Sequence, residues 1–137
     1  PLVLTPHPGE FARLSGATVA DLQADRVGRA TAFAARFGVV LLLKGAGTVV
    51  TDGDRVYVNP TGNPGMGTGG VGDVLTGLIA ALVGQGMPGY DAACLGAWVH
   101  GRAGDLAAAD LSQTALTAAD LPGYLPRVFR DLEAAAG

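Results

Sequence analysis

Apolar and polar positions along the chain alternate between runs that suit a strand and stripes that suit a helix. Leu2, Val3 and Leu4 form a short apolar run that predicts a strand. Thr5-Pro6-His7-Pro8-Gly9 stops it, because two prolines force an extended turn, and Glu10-Phe11-Ala12-Arg13-Leu14 then suits one or two helical turns. Thr18, with Asp21 three residues later, has the pattern of a capping box. Val19, Leu22, Val27, Ala30, Phe33, Ala34 and Phe37 continue as a helical stripe ending at Gly38, so one long amphipathic helix is predicted there. Val39-Val40-Leu41-Leu42-Leu43 is apolar throughout and lies between Gly38 and Gly45, the pattern of a strand buried on both faces of an α/β sheet, with Lys44 at its C-terminal end. Thr48-Val49-Val50-Thr51 and Arg55-Val56-Tyr57-Val58 flank Asp52-Gly53-Asp54, which predicts a β-hairpin with a tight turn.

Residues 59–72 include Pro60, Gly62, Pro64, Gly65, Gly67, Gly69, Gly70 and Gly72, which preclude regular structure until about Val71 and suggest a functional loop. Val74, Leu75, Leu78, Ile79, Leu82 and Val83 then repeat at helical spacing as far as Gly84-Gln85-Gly86. A second apolar helix is predicted from Tyr90 to about Ala109, and both helices read as buried. A last amphipathic segment covers residues 121–136, its entry shaped by Pro122, Gly123 and Pro126. No repeat, low-complexity tract or interdomain linker breaks this order, so the chain reads as one globular domain or part of one.

Of 137 residues, 49% are apolar and 15% charged, ample material for one packed core. Nine basic and twelve acidic residues give a net charge of −3, which argues against a nucleic-acid partner. Cys94 is the only cysteine, so neither an internal disulfide nor a multi-cysteine metal site is open to it, and a reducing, cytoplasmic setting is expected. The longest apolar run, residues 78–83, falls far short of the roughly 18 that span a bilayer, and no signal-peptide pattern opens the chain, so no membrane partner is expected. The chain starts at Pro1 with a strand entered mid-fold, which reads as the tail of a longer polypeptide.

Asn63-Pro64-Gly65-Met66-Gly67-Thr68-Gly69-Gly70-Val71-Gly72-Asp73-Val74-Leu75-Thr76-Gly77 carries the strongest chemical signal. Glycines lacking Cβ let backbone N–H groups converge on an anion, and the positive end of the following helix points at the same place. Asp73, in that helix's first turn, is placed to accept a proton from a hydroxyl attacking phosphorus. A lone first-turn aspartate often only complements the helix dipole; the crowding of glycines favours a catalytic or substrate-contacting role. The overlapping matches Gly65-x-Gly67-x-x-Gly70 and Gly67-x-Gly69-x-x-Gly72 do not make a Rossmann turn, because two helices follow in succession where a helix and an acid-bearing strand are required. No Gly-Lys-Ser or Gly-Lys-Thr occurs, which excludes a Walker A loop.

Lys44, Gly45, Ala46, Gly47 and Thr48 place a cation, flexible residues and a hydroxyl just beyond a buried strand, where α/β folds bind ligands, and favour nucleotide contact over a plain strand-ending turn. His7, held between two prolines, either presents a ring nitrogen to a ligand or sits in an exposed turn while Glu10 favours a helix N-terminus. His100 reads as a structural histidine, Cys94 and Trp98 as core, and Asp105 and Asp110 as solvated helix charges.

Taken together, the segments at residues 5–10, 43–48, 63–77 and 97–101 closely resemble the ADP- or ATP-dependent NAD(P)H-hydrate dehydratases in order and spacing, over nearly the whole chain. The resemblance implies a ribokinase-like three-layer α/β/α sandwich, here its C-terminal portion. It also implies a repair reaction in which hydrated NADH or NADPH is dehydrated at the expense of ADP or ATP, with Mg²⁺ accompanying the nucleotide. By that likeness Lys44, Gly45, Ala46, Gly47, Thr48 and Gly72 contact the nucleotide, Gly70 and Gly72 belong to an anion hole, and His7 and Asp73 contact the hydrated dinucleotide. Asp73 would activate the ring hydroxyl for attack on the terminal phosphoryl group. Gly67 stands where the family often has alanine. Family members carry preceding sheet and helices that also line the substrate pocket, so this stretch alone is expected to be inactive, with a strand edge open to pairing. The resemblance leaves room for a homo-oligomer. A vitamin-precursor or sugar kinase of the same fold shares the glycine-rich anion hole and aspartate, but His7 and residues 44–48 favour the dehydratase. A non-catalytic nucleotide-binding module is the remaining alternative.

Overall fold

Turn chemistry and strand pairing together fix the order of elements. In a computed structural model, which describes residues 2–137, they run β1 (Val3–Leu4), α1 (Pro8–Ser15), α2 (Val19–Ala24), α3 (Arg26–Phe37), β2 (Val40–Leu43), β3 (Val49–Thr51), β4 (Val56–Val58), α4 (Val71–Gly84), α5 (Gly89–Leu111) and α6 (Leu125–Ala136). Short 3₁₀ segments lie at Pro64–Met66 and Ala118–Tyr124. The elements form two compact units, one of residues up to Pro60 with Gly86–Cys94, the other of Thr61–Gln85 with Leu95–Gly137. Among the described residues no helix is long and apolar enough to cross a membrane.

The first unit is built on a four-stranded sheet of order β1-β2-β3-β4. β1 runs parallel to β2 with Val3 opposite Val40, and β2, β3 and β4 follow antiparallel, Leu42 opposite Val50 and Val50 opposite Tyr57. Side chains alternate across a strand, so Leu41 and Leu43 share one face and join Phe11, Leu22, Ala30, Ala34 and Val49 in a core with the first three helices. Leu42 and Val50, on the other face, are also fully buried, as the continuous apolar run predicts. The Phe11 ring meets Phe33 edge-on at 5.2 Å between centroids.

Where the stripe of residues 19–37 predicts one helix, the structure has two. Asp25, at φ −152° and ψ 70°, closes α2 and caps α3 by accepting from the Gly28 N–H at 3.0 Å. An aspartate side chain competes for backbone donors and so breaks a helix that its apolar neighbours would continue. Gly28 permits the cap, because a Cβ there would come within 2.7 Å of the Asp25 carboxyl carbon. Thr18 and Asp21 form the predicted capping box, and Gly38, left-handed at φ 62°, ends α3 as predicted.

The predicted hairpin forms. At its tip the Asp52 carboxylate accepts from the backbone N–H groups of Asp54 and Arg55 at 3.0 and 2.7 Å, and pairs with the Arg55 guanidinium at 2.9 Å. These donors, the Arg55 N–H first, hold the Asp52 pKa down at about 2, against an ordinary value of 3.8. Gly53, at φ +95°, lies directly on the α3 backbone: a Cβ there would stand 2.6 Å from the Ala35 Cα.

In the second unit, Val71, Ala107, Leu116 and Leu121 form one core cluster, and Val99, Ala103, Leu106 and Val128 another, the latter joined by Leu78, Trp98 and Phe129. α4 corrects an expectation: only Val71, Leu75, Ile79 and Leu82 are buried, while Thr76, Gly77 and Ala80 leave its other side open and Val83 is 43% exposed. Cys94 is half-buried rather than core, and Trp98, also half-buried, packs against the second of these clusters. The segment expected over residues 121–136 divides into a 3₁₀ turn containing Pro122 and then α6, since proline cannot donate to a continuing ladder.

Two stability experiments follow. Gly53→Ala should cost about 2–4 kcal/mol, combining left-handed strain with a backbone collision, whereas Gly16→Ala, also left-handed but facing open space, should cost about 1–2 kcal/mol. Equal shifts in urea denaturation would contradict the close packing of the hairpin tip on α3. Because the Asp52 pKa is depressed on folding, its stabilisation is complete above about pH 4 and disappears as pH falls through about 2. Asp52→Asn should therefore lose less stability than the parent between pH 5 and pH 2, measured as urea midpoints across that range.

Candidate functional site

In the first unit, the Pro-His-Pro turn and the residues after β2 are tied together by the backbone. The Lys44 N–H donates to the Pro6 carbonyl at 3.0 Å, fixing the end of β2 against the turn that leaves β1. His7 is the N-cap of α1: its Nδ1 accepts from the Glu10 N–H at 3.1 Å, and the Glu10 carboxylate accepts from the His7 N–H at 3.0 Å. The turn therefore starts α1, with Nδ1 taken up by the cap. A neutral ring accepting at Nδ1 carries its proton on Nε2, which lies 3.4 Å from Glu10 Oε1 on a side chain 55% exposed. The hydrogen bond from the His7 backbone lowers the Glu10 pKa most, and the charges of His7, Lys44 and Arg13 add to it.

Residues 44–48 form a turn with Gly45 at φ +138° and Gly47 at φ +67°, and the Thr48 hydroxyl donates to the Gly45 carbonyl at 3.1 Å. Behind this turn lies the half-buried Arg26. Its Nη2 donates to the carbonyls of Leu43 and Lys44, both at 3.2 Å, and of Gly47 at 3.5 Å. The guanidinium lies against Gly45, where a Cβ would stand 3.0 Å from Nη1. Burial alone pushes the Arg26 pKa down.

In the second unit, the glycine-rich loop is anchored at its start and open at its end. The Asp105 carboxylate accepts from the Gly62 N–H at 3.1 Å and the Asn63 side-chain amide at 2.9 Å, while Asn63 Oδ1 accepts from the Gly65 N–H at 3.0 Å and starts the 3₁₀ turn. The Thr61 hydroxyl donates to the Trp98 carbonyl at 2.9 Å. Gly101 and Gly104 of α5 give the loop room, since a Cβ on either would collide with Thr61 or Met66. His100, buried as a structural histidine should be, holds the start of α4 through Nε2, 3.0 Å from the Val71 carbonyl.

Gly70 is the N-cap of α4, left-handed at φ +87°, and no side chain caps this helix. In the first turn the Val71 and Asp73 N–H groups donate to the Thr68 and Gly70 carbonyls at 3.4 and 3.1 Å, while among the described residues the Gly72 N–H has no acceptor, at the end of the helix where the dipole favours an anion. Asp73 is exposed in that turn. Among the described residues its carboxylate takes no hydrogen bond or ion pair, whereas Glu10, Asp21 and Asp120, at the same position of their own helices, are all bound into capping boxes. Asp73 is therefore available for chemistry.

The structure thus groups His7 with Lys44, Gly45, Ala46, Gly47 and Thr48 in one unit, and Gly70, Gly72 and Asp73 in the other. Arg26 and Asp105 escape the sequence. Only the helix break at Asp25 reveals Arg26 as a cation at the first position of a helix, where the dipole disfavours it. Asp105 is a correction, since it was expected to be a solvated charge. Its place one turn beyond Gly101, on a face of small residues, was the available signal. Asp110, exposed, accepts from the Tyr124 hydroxyl at 3.0 Å.

A sequence profile described as NAD(P)H-hydrate dehydratase matches residues 1–127. The bifunctional NAD(P)H-hydrate repair enzyme Nnr of Moorella thermoacetica is 58% identical over 134 residues, covering 97% of this chain and 25% of that protein. The ADP-dependent (S)-NAD(P)H-hydrate dehydratase of Neisseria meningitidis is 52% identical over 106 residues, 77% of this chain and 36% of that protein. Among solved structures, the ADP/ATP-dependent NAD(P)H-hydrate dehydratase of Bacillus subtilis, co-crystallised with ATP/Mg²⁺, matches with a TM-score of 0.91 and 38% identity over 96% of this chain and 48% of that one. A ribokinase-like superfamily protein of Enterococcus faecalis matches with a TM-score of 0.71 and 30% identity over 92% of this chain and 44% of that one. The chain spans between a quarter and a half of the length of these proteins. It has a ribokinase-like α/β fold and belongs to the NAD(P)H-hydrate dehydratase family.

Proposed function

We propose that the chain is the C-terminal part of a single nucleotide-binding catalytic domain that uses ADP or ATP to dehydrate (6S)-NAD(P)H hydrate back to NAD(P)H. The observation that carries this reading is the unengaged Asp73 carboxylate beside the uncapped, glycine-led N-terminus of α4. A phosphate held there by backbone N–H groups places a base next to phosphorus. The family membership, and relatives whose names specify this activity, support the assignment.

In this reading Lys44, Gly45, Ala46, Gly47 and Thr48 contact the nucleotide, and Gly70 and Gly72 stabilise charge on the transferred phosphoryl group. His7 offers its Nε2 proton to the hydrated dinucleotide. Asp73 accepts the proton of the ring hydroxyl as its oxygen attacks the terminal phosphorus. The bond from phosphorus to the bridging oxygen breaks, leaving AMP from ADP or ADP from ATP. The ring carbon–oxygen bond then breaks with loss of a proton from the adjacent ring carbon to water, releasing phosphate and restoring the reduced nicotinamide. Mg²⁺ would come with the nucleotide and would supply neutralisation of phosphoryl charge. This hard cation would draw its ligands chiefly from phosphate oxygens and water, the N–H groups at the start of α4 serving the anion rather than the cation. The single cysteine, Cys94, supports a reducing cytoplasmic setting.

The test is recovery of reduced-ring absorbance from purified hydrated NADH with ADP or ATP and Mg²⁺, in the full-length protein and its Asp73→Asn variant. Turnover should depend on nucleotide and fall about 10²- to 10⁴-fold in the variant. A phosphorylated product that accumulates would indicate a kinase, and nucleotide binding without turnover a binding module.

A further inference from the structure

We propose that Arg26 is a positioning residue for nucleotide binding, acting through the backbone of residues 44–48; the proposal rests on the nucleotide-contact role given to that turn above. Two of the turn's residues, Gly45 and Gly47, adopt positive φ, so local sterics do little to hold it in one shape. Its carbonyls at Lys44 and Gly47, together with that of Leu43, converge on one nitrogen of Arg26. Oxygens brought so close repel one another unless a cation gathers them, so removing the guanidinium releases the turn.

Gathering the carbonyls also orients the donors. A trans peptide points its N–H opposite to its C=O, so carbonyls of Lys44 and Gly47 directed at Arg26 turn the N–H groups of Gly45 and Thr48 away from it, toward a ligand approaching the other side. The guanidinium's fit against Gly45 adds a second constraint, because any side chain there would displace it.

Charge points the same way. Among the described residues Arg26 has no carboxylate partner, whereas Arg55 is paired with Asp52. A half-buried cation whose partners are all carbonyls leaves its charge unneutralised behind the turn, where a phosphate would gain from it. The helix break at Asp25 makes the arrangement possible. By starting α3 afresh it places Arg26 at the first helical position, where the helix dipole opposes a cation, and the turn's carbonyls offset that cost.

The experiment measures nucleotide KM and kcat, with Mg²⁺-ADP and Mg²⁺-ATP dissociation constants by equilibrium dialysis, for the full-length protein and its Arg26→Gln, Arg26→Lys and Arg29→Gln variants. Arg29 is an exposed arginine on the same helix and serves as control. Arg26→Gln should raise KM and Kd roughly 10- to 100-fold with kcat changed far less, and Arg26→Lys should recover part of the loss. Arg29→Gln should match the parent. A lower urea midpoint with unchanged KM and Kd would reduce Arg26 to a stability role and overturn the proposal. If Arg26→Gln fails to fold, Arg26→Lys decides: parental nucleotide affinity overturns the proposal, and weakened affinity at parental kcat upholds it. Failure of the parent protein itself to bind either nucleotide would instead overturn the proposed function, since the positioning claim concerns only the difference between variants.

Discussion

A glycine-rich loop exposes its backbone to a ligand but has no side chains with which to hold its own shape, and the rest of this structure answers that constraint. Each unit solves it with one charged residue on a neighbouring helix. In the first, the Arg26 cation collects the carbonyl oxygens of the turn at residues 44–48. In the second, the Asp105 carboxylate collects donors at the start of the glycine-rich loop, the Gly62 N–H and the Asn63 amide. The sign of the charge follows the polarity of the groups to be gathered. Charge-assisted hydrogen bonds of this kind are about twice as strong as neutral ones, so one residue can replace the several packing contacts that a loop without side chains cannot make.

Local rules made much of the fold legible. Two prolines around His7, a capping box at Thr18 and Asp21, an apolar run over residues 39–43 and Asp52-Gly53-Asp54 between β-branched residues each imply a conformation within a few residues of themselves, and each is found. The failures share a cause, a local signal outvoted by one residue or decided at long range. Apolar spacing across residues 19–37 implies one helix, yet Asp25 captures the Gly28 N–H and ends it. Apolar richness in α4 suggests burial all round, but Thr76, Gly77 and Ala80 contribute little area to bury.

The candidate site divides along the same line. The helix start at Gly70 and the first-turn place of Asp73 were readable because a helix N-terminus is a local motif. Arg26 and Asp105 act on segments 17 to 43 residues away in sequence, and spacing alone carries no trace of such pairings. His7 lies between these cases. Its turn was readable, but only the structure shows Nδ1 committed to the helix cap and Nε2 left as the ring's remaining donor.

The N-terminus of α4 shows where stability is given up. Ser, Thr, Asp or Asn at the Gly70 position would supply a side-chain acceptor and, relative to a cap lacking one, typically add about 1 kcal/mol to the helix. Such a residue would have to adopt φ +87°, would meet Ala118 at 3.1 Å with its Cβ, and would put its own oxygen where an incoming anion must go. A glycine cap offers the first-turn N–H groups no side-chain acceptor, and its left-handed backbone differs from the extended N-caps whose N–H groups bind Glu10, Asp21 and Asp120, so the Asp73 carboxylate accepts no such bond. The left-handed glycine thus leaves the helix start open to the anion proposed above and the Asp73 carboxylate unengaged beside it. A helix start built for stability would do neither.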